Sequence, residues 1–144
     1  MSAESFDSNI LIYLFDETDD RKRAVAEALV SAALETGNGV VSYQAVQETV
    51  SFLTRRAATG ATDAHTRQFL DGGLSPLWRV TPSRALFHRA LDIRGRYGYT
   101  FYDALVVAGA VEAGSTRLYS QDLEDGQIVH GVTIVNSFRT SPGG

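Results

Sequence analysis

Apolar and polar positions along the chain switch repeatedly between a short, strand-like rhythm and a three-to-four-residue, helix-like one. Ala3 to Phe6 predicts a first strand that stops at an acid, Asp7, and Asn9 to Phe15 reads as a helix turning away from it. Asp19 or Asp20 can cap a long second helix whose stripe runs through Ala24, Val25, Ala28, Leu29, Ala32 and Ala33 and ends at Thr36-Gly37-Asn38-Gly39. Val40-Val41 is a very short strand, and Val46, Val50 and Leu53 recur at helical spacing from Tyr43 to Arg56. A loop over 57–61 and an N-cap at Thr62 lead into a helix from Asp63 to Leu70, stopped by Asp71-Gly72-Gly73. Leu77 to Val80 is the third strand. Thr81-Pro82 opens a helix through Ala85, Leu86, Ala90, Leu91 and Ile93, which Gly95-Arg-Tyr-Gly98 breaks. Tyr102 to Ala113, apolar almost all round, predicts a buried helix closed by Gly114, and Arg117–Tyr119 and Val132–Val135 finish the strands.

Short strands alternating with helices predict an α/β fold, a three-layer α/β/α arrangement around a short parallel sheet of four to five strands. The 144 residues, 44% hydrophobic and 21% charged, suit one compact domain over residues 1–138 with a loose tail at 139–144. No cysteine is present, so any metal must be held by oxygen or imidazole. No apolar run approaches the roughly 20 residues of a membrane span. The Met-Ser-Ala-Glu-Ser start lacks the positive charge of a signal peptide, so a cytoplasmic protein is expected.

Chemistry should sit outside the carboxyl ends of the parallel strands. Asp7 follows the first strand, Asp122 follows Leu118-Tyr119-Ser120, Glu48 lies in the first turns of the helix after the second strand, and Asp103 opens the helix before the fourth. Carboxylates gathered there repel one another unless protonated or neutralised by a hard cation, and an all-oxygen set suits Mg²⁺ or Mn²⁺ acting on phosphate. Each acid also has a plainer use. Asp7 can simply cap a helix, Thr100 to Asp103 matches a capping box, Glu48 lies opposite the apolar stripe of its helix, and Asp122 belongs to a polar loop.

Other chemistries lack a basis. There is no glycine-rich phosphate loop, and His65, His88 and His130 are scattered. The formal charge of −4 argues against a basic nucleic-acid coat, but basic residues do cluster at Arg21-Lys22-Arg23, at Arg55-Arg56, and at Arg94 with Arg96. Such runs are either solvated helix faces or phosphate contacts.

Together, Phe-Asp7-Ser-Asn9 before an apolar helix, Ser42 with Glu48 six residues on, Tyr102-Asp103-Ala-Leu-Val, and Leu118-Tyr-Ser-Gln-Asp122-Leu resemble a PIN-domain ribonuclease. The ending, Gly126-Gln and Gly131-Val-Thr-Ile-Val-Asn136-Ser-Phe138, is similar to VapC-type toxins of bacterial toxin-antitoxin pairs. The resemblance implies a Mg²⁺- or Mn²⁺-dependent endoribonuclease with an RNA substrate, a cognate antitoxin partner and a homodimeric state. It assigns Asp7, Glu48, Asp103 and Asp122 as the catalytic, metal-holding acids, with Asn9, Ser120 and Asp125 in support. Ser8 stands where the family more often has threonine, and the hydroxyl is kept. A PIN-like module that binds RNA or protein without cutting is the alternative, and an α/β phosphohydrolase with Asp7 as nucleophile is a third reading.

Overall fold

The computed structural model describes residues 2–56 and 63–139. The expected loop at 57–61, the cap at Thr62 and the tail from Thr140 lie outside them. Strand β1 (Ala3–Phe6) leads through α1 (Ser8–Tyr13) and α2 (Asp20–Thr36) to β2 (Gly39–Ser42), followed by α3 (Tyr43–Arg56) and α4 (Asp63–Phe69). Then come β3 (Trp78–Val80), α5 (Arg84–Tyr97), α6 (Phe101–Glu112), β4 (Ser115–Tyr119), β5 (Ile128–Val129) and β6 (Val132–Val135).

Among the described residues six strands form one sheet in the order β3-β2-β1-β4-β6-β5. Five run parallel, within the four to five expected, and β5 adds an antiparallel edge. β5 went unforeseen because it is two residues long and joins β6 through His130 and Gly131, both at positive φ, a tight turn without the usual Asn-Gly signal.

Side chains alternate across each strand, and the two faces feed two cores. Val40, Leu118 and Ile134 pack with Leu86, Ile93, Leu105 and Val107 of α5 and α6. Val41 and Tyr119 pack on the other face with Ile10, Leu11, Val30 and Val46 of α1, α2 and α3. This is the three-layer arrangement that the alternating periods predict. Helix α6 lies buried along most of its length, as its uniformly apolar sequence requires. No helix among the described residues is long and apolar enough to cross a membrane.

The helix ends reflect local chemistry. The Asp19 carboxylate caps α2 by accepting from the Lys22 N–H, and Gly37 closes that helix in the left-handed region at φ 74°. Among the boundaries that differ from the sequence expectation, three have a visible local cause. Helix α5 is capped by Ser83, whose Oγ accepts from Leu86 N–H at 3.0 Å, so Pro82 precedes the cap. It runs through Gly95 and ends only at Gly98, which adopts φ 77°. At Asp71-Gly72-Gly73 the chain does not stop but widens into a π-helical turn, Leu70–Leu74. The Phe69 ring folds onto Gly73, where a Cβ would stand 2.7 Å from Cε1, so the glycine admits the ring.

Gly39 is a tighter case, because a Cβ there would meet Ala33 Cβ at 2.7 Å and Leu77 Cδ2 at 2.8 Å. Gly39→Ala is therefore expected to lower unfolding free energy by about 1–3 kcal/mol, the usual cost of overpacking. Gly72→Ala, with nothing within 4 Å, should change it far less. Urea denaturation of both variants checks the contrast.

Candidate active site

β1 and β4 are paired in parallel with Phe6 beside Tyr119, and the two rings stack with centroids 5.3 Å apart. The Asp7 N–H donates to the Tyr119 carbonyl at 2.9 Å, and Ser120 N–H to the Val135 carbonyl at 3.0 Å. The register leaves Asp7 and Ser120 side by side at the carboxyl edge of the sheet. Both are buried, Asp7 at 8% and Ser120 at 0% relative exposure.

Ser120 Oγ donates to Asp7 Oδ2 at 2.8 Å, and the Ser8 N–H donates to Oδ1 at 2.7 Å. Asp7 is thus the cap of α1, as its plainer reading has it, and also the central carboxylate of the edge. The same Ser120 Oγ accepts from Asp122 N–H at 3.3 Å. Asn9 Nδ2 donates to Asp122 Oδ2 at 3.1 Å, while Asn9 Oδ1 accepts from Gln121 N–H at 3.4 Å. Ser8 Oγ donates to Glu48 Oε2, tying the first turn of α1 to α3. Ser8 as a bridge to Glu48 was not foreseen from sequence; its only signal was a hydroxyl next to Asp7.

Burial pushes the Asp7 carboxyl up from 3.8 to about 6. The hydrogen bonds from Ser120 and Ser8 oppose that rise, and the charges of Glu48 and Asp122 add to it. Asp7, Glu48 and Asp122 therefore share one electrostatic neighbourhood.

Asp103 and Asp125 are placed differently. The Asp103 N–H donates to Thr100 Oγ1 at 3.2 Å, the backbone half of a capping box, and its carboxylate makes no hydrogen bond or ion pair among the described residues. Gln44, one turn before Glu48, donates Nε2 to the carbonyl of neighbouring Tyr102 at 3.5 Å, which brings the start of α6 against α3. Asp125 accepts from Asn136 N–H at 2.8 Å and pairs with Arg139 at 3.2 Å, so its carboxylate is engaged in holding the C-terminal segment.

Among the described residues no three His, Asp or Glu side chains lie close enough to hold a metal ion as they stand. Hydroxyl and amide groups separate the acids instead. The donor chemistry still suits a hard cation, since a buried carboxylate with two acidic neighbours is relieved by positive charge. Glu48 is exposed as a residue, with its carboxylate held by Ser8 Oγ.

The sequence matches the PIN domain family over residues 6–124, and the chain belongs to that family. It is similar to a toxin-antitoxin complex from Klebsiella pneumoniae at 25% identity, covering 92% of this chain and 96% of that one, with a TM-score of 0.65. It is also similar in fold to Mycobacterium tuberculosis VapC20, described as a sarcin-ricin loop cleaving toxin, at 20% identity over 83% and 92% of the two chains, TM-score 0.61. FitAcB from Neisseria gonorrhoeae matches at 15% identity over 95% and 99%, TM-score 0.62. No curated protein matches the chain.

The raised Asp7 pKa fixes the sign of a pH effect. The folded state holds this proton more tightly than the unfolded state, so stability falls as pH rises from 3.8 toward about 6 and the deficit persists above it. The shift corresponds to roughly 3 kcal/mol. Asp7→Asn, in buffer with EDTA, should stabilise the fold by about 1–3 kcal/mol at pH 8 and by little at pH 4; urea midpoints at the two pH values measure the difference.

Proposed function

We propose that this chain is a metal-dependent endoribonuclease acting as the toxin of a toxin-antitoxin pair. The observation that carries the reading is the buried Asp7 carboxylate, set by strand register beside Ser120 and under the charge of Glu48 and Asp122, in a chain that belongs to the PIN family. The likeness to a toxin-antitoxin complex supports the toxin role and an antitoxin partner.

Asp7, Glu48 and Asp103 would hold the principal ion, Mg²⁺ or Mn²⁺, and Asp122 would position a second ion or the attacking water. A bound divalent cation supplies neutralisation of the carboxylates and of phosphate charge, and acidifies water. The chain's part is orientation. Ser120 and the Ser8 N–H fix the two oxygens of Asp7, Ser8 Oγ retains Glu48 near it, and Asn9 aims Asp122. Water adds to phosphorus in line with the leaving 3′-oxygen; a P–O bond forms as the water loses a proton, the P–O3′ bond breaks, and O3′ takes up a proton, so that one water is consumed overall. The products are a 5′-phosphate and a 3′-hydroxyl, as the family resemblance implies. No histidine is required.

The separation of the acids by hydrogen-bonded neighbours, with Asp103 apart, favours a second reading: a PIN-like module that binds RNA or a protein without cutting. One assay separates the two. Cleavage of a structured RNA pool should require Mn²⁺, stop with EDTA, and fall at least 100-fold in both Asp7→Asn and Asp103→Asn, in the range seen when electrostatic groups at a reacting centre are removed. Folded wild type and variants that are equally inert would support the silent module. Coexpression with the protein encoded beside it tests the partner: a toxic chain whose toxicity the neighbour relieves by copurifying with it is expected, and a harmless, solitary one contradicts the toxin role.

A further inference from the structure

The three basic clusters are not equivalent once folded. Arg21 donates to the Phe138 carbonyl, Arg23 pairs with Asp20 at 2.8 Å, and Lys22 lies over the Tyr13 ring. Arg56 donates to the Phe15 carbonyl and lies over the Phe52 ring. At the end of α5, Arg96 lies over Tyr97. Arg94 and Arg96 make no ion pair or side-chain hydrogen bond among the described residues, so what sets Arg55 apart is its tether and its place in a cleft with Glu48. Arg55 Nη1 donates to Ser51 Oγ at 2.7 Å, and among the described residues Arg55 makes no ion pair and no other side-chain hydrogen bond.

That bond draws the guanidinium back one helical turn toward Glu48. Gln47, Glu48, Ser51 and Arg55 share one face of α3 and, with Ile12 of α1, line an open cleft of about 430 Å³. The cleft therefore holds one acid of the candidate site and, beside it, a cation tethered by a neutral hydroxyl. A carboxylate tether would cancel the charge; a hydroxyl aims it and leaves the other donors of the planar fork available, the geometry suited to a phosphate. Gln47 and Ser51 add neutral hydrogen-bonding groups to the same wall. Two turns of helix, about 10 Å, separate the backbones of Glu48 and Arg55, which sets Arg55 further along the cleft from the acids.

We infer that Arg55, with Gln47 and Ser51, forms a subsite for a non-reacting phosphate of a single-stranded RNA, one that flanks the bond at the acidic edge. The inference rests on the nuclease reading for the direction of the strand, but its test does not depend on cleavage. Arg55 is a positioning residue here: it holds the strand while the acids act elsewhere.

Fluorescence anisotropy of a labelled mixed-sequence single-stranded RNA, in EDTA and separately in Ca²⁺, measures binding for wild type, Arg55→Ala, Arg55→Lys and Arg79→Ala. Arg79 donates to the Gly37 carbonyl, beyond the far end of β2, and serves as the distant charge control. Arg55→Ala should weaken binding about tenfold at low salt and flatten the plot of log K against log salt by about 0.7, the loss of one phosphate contact on a single strand. Arg55→Lys should restore most of the slope and only part of the affinity, because it keeps the charge and loses the fork. Equal behaviour of Arg55→Ala and Arg79→Ala, or no RNA binding by wild type in either buffer, overturns the subsite. Arg55-dependent binding by a protein that cuts no RNA would leave the subsite standing and remove the nuclease reading; normal cleavage with Arg55-independent binding would do the reverse.

Discussion

The parallel pairing of β1 with β4 is the constraint on which the rest depends. It places Phe6 against Tyr119 and therefore Asp7 against Ser120, one residue beyond, where the sheet ends. A one-residue slip would send Asp7 to the opposite face and put Phe6 at the edge. The two cores oppose such a slip, because Leu118 feeds one and Tyr119 the other. The apolar sandwich thus fixes a polar contact that would have little strength alone.

That placement holds a carboxylate where its charge is costly. Burial is the largest influence on its pKa and raises it, two hydrogen bonds lower it, and two further acids stand near enough to add to the rise. A fold that needed only a cap for α1 could use a neutral serine or asparagine at position 7. The charge makes physical sense when something positive is to share the edge, which is the basis for reading the site as one for a divalent cation and a phosphate substrate. The fold thereby gives up stability at the place where the chemistry is proposed.

Much of this was legible in the sequence because it is local. The strand ending at Asp7, the cap at Asp19, the left-handed Gly37 and the uniformly apolar α6 are each set by neighbours a few residues away. The outward position of Glu48 was legible too, from its place opposite Val46, Val50 and Leu53. The illegible features are tertiary. Ser8 meets Glu48 across 40 residues, the Phe69 ring over Gly73 turns a stop signal into a wide turn, and Asp125 is claimed by Arg139. Helical spacing puts Arg55, seven residues after Glu48, on the outward face and Arg56 about 100° away, but the partners they meet, the Phe52 ring for Arg56 and the cleft with Ile12 for Arg55, come from packing.

The most direct test of the central claim is calorimetric titration with Mn²⁺ across pH 5 to 8, comparing wild type with Asp7→Asn. If the buried carboxylate is the anchor of a cation site, wild-type binding should release a proton below about pH 6 and strengthen as pH rises through that value. Asp7→Asn should lose both the binding and the proton release. Mn²⁺ binding of equal strength and equal pH response in the two proteins, or none in either, would contradict the account.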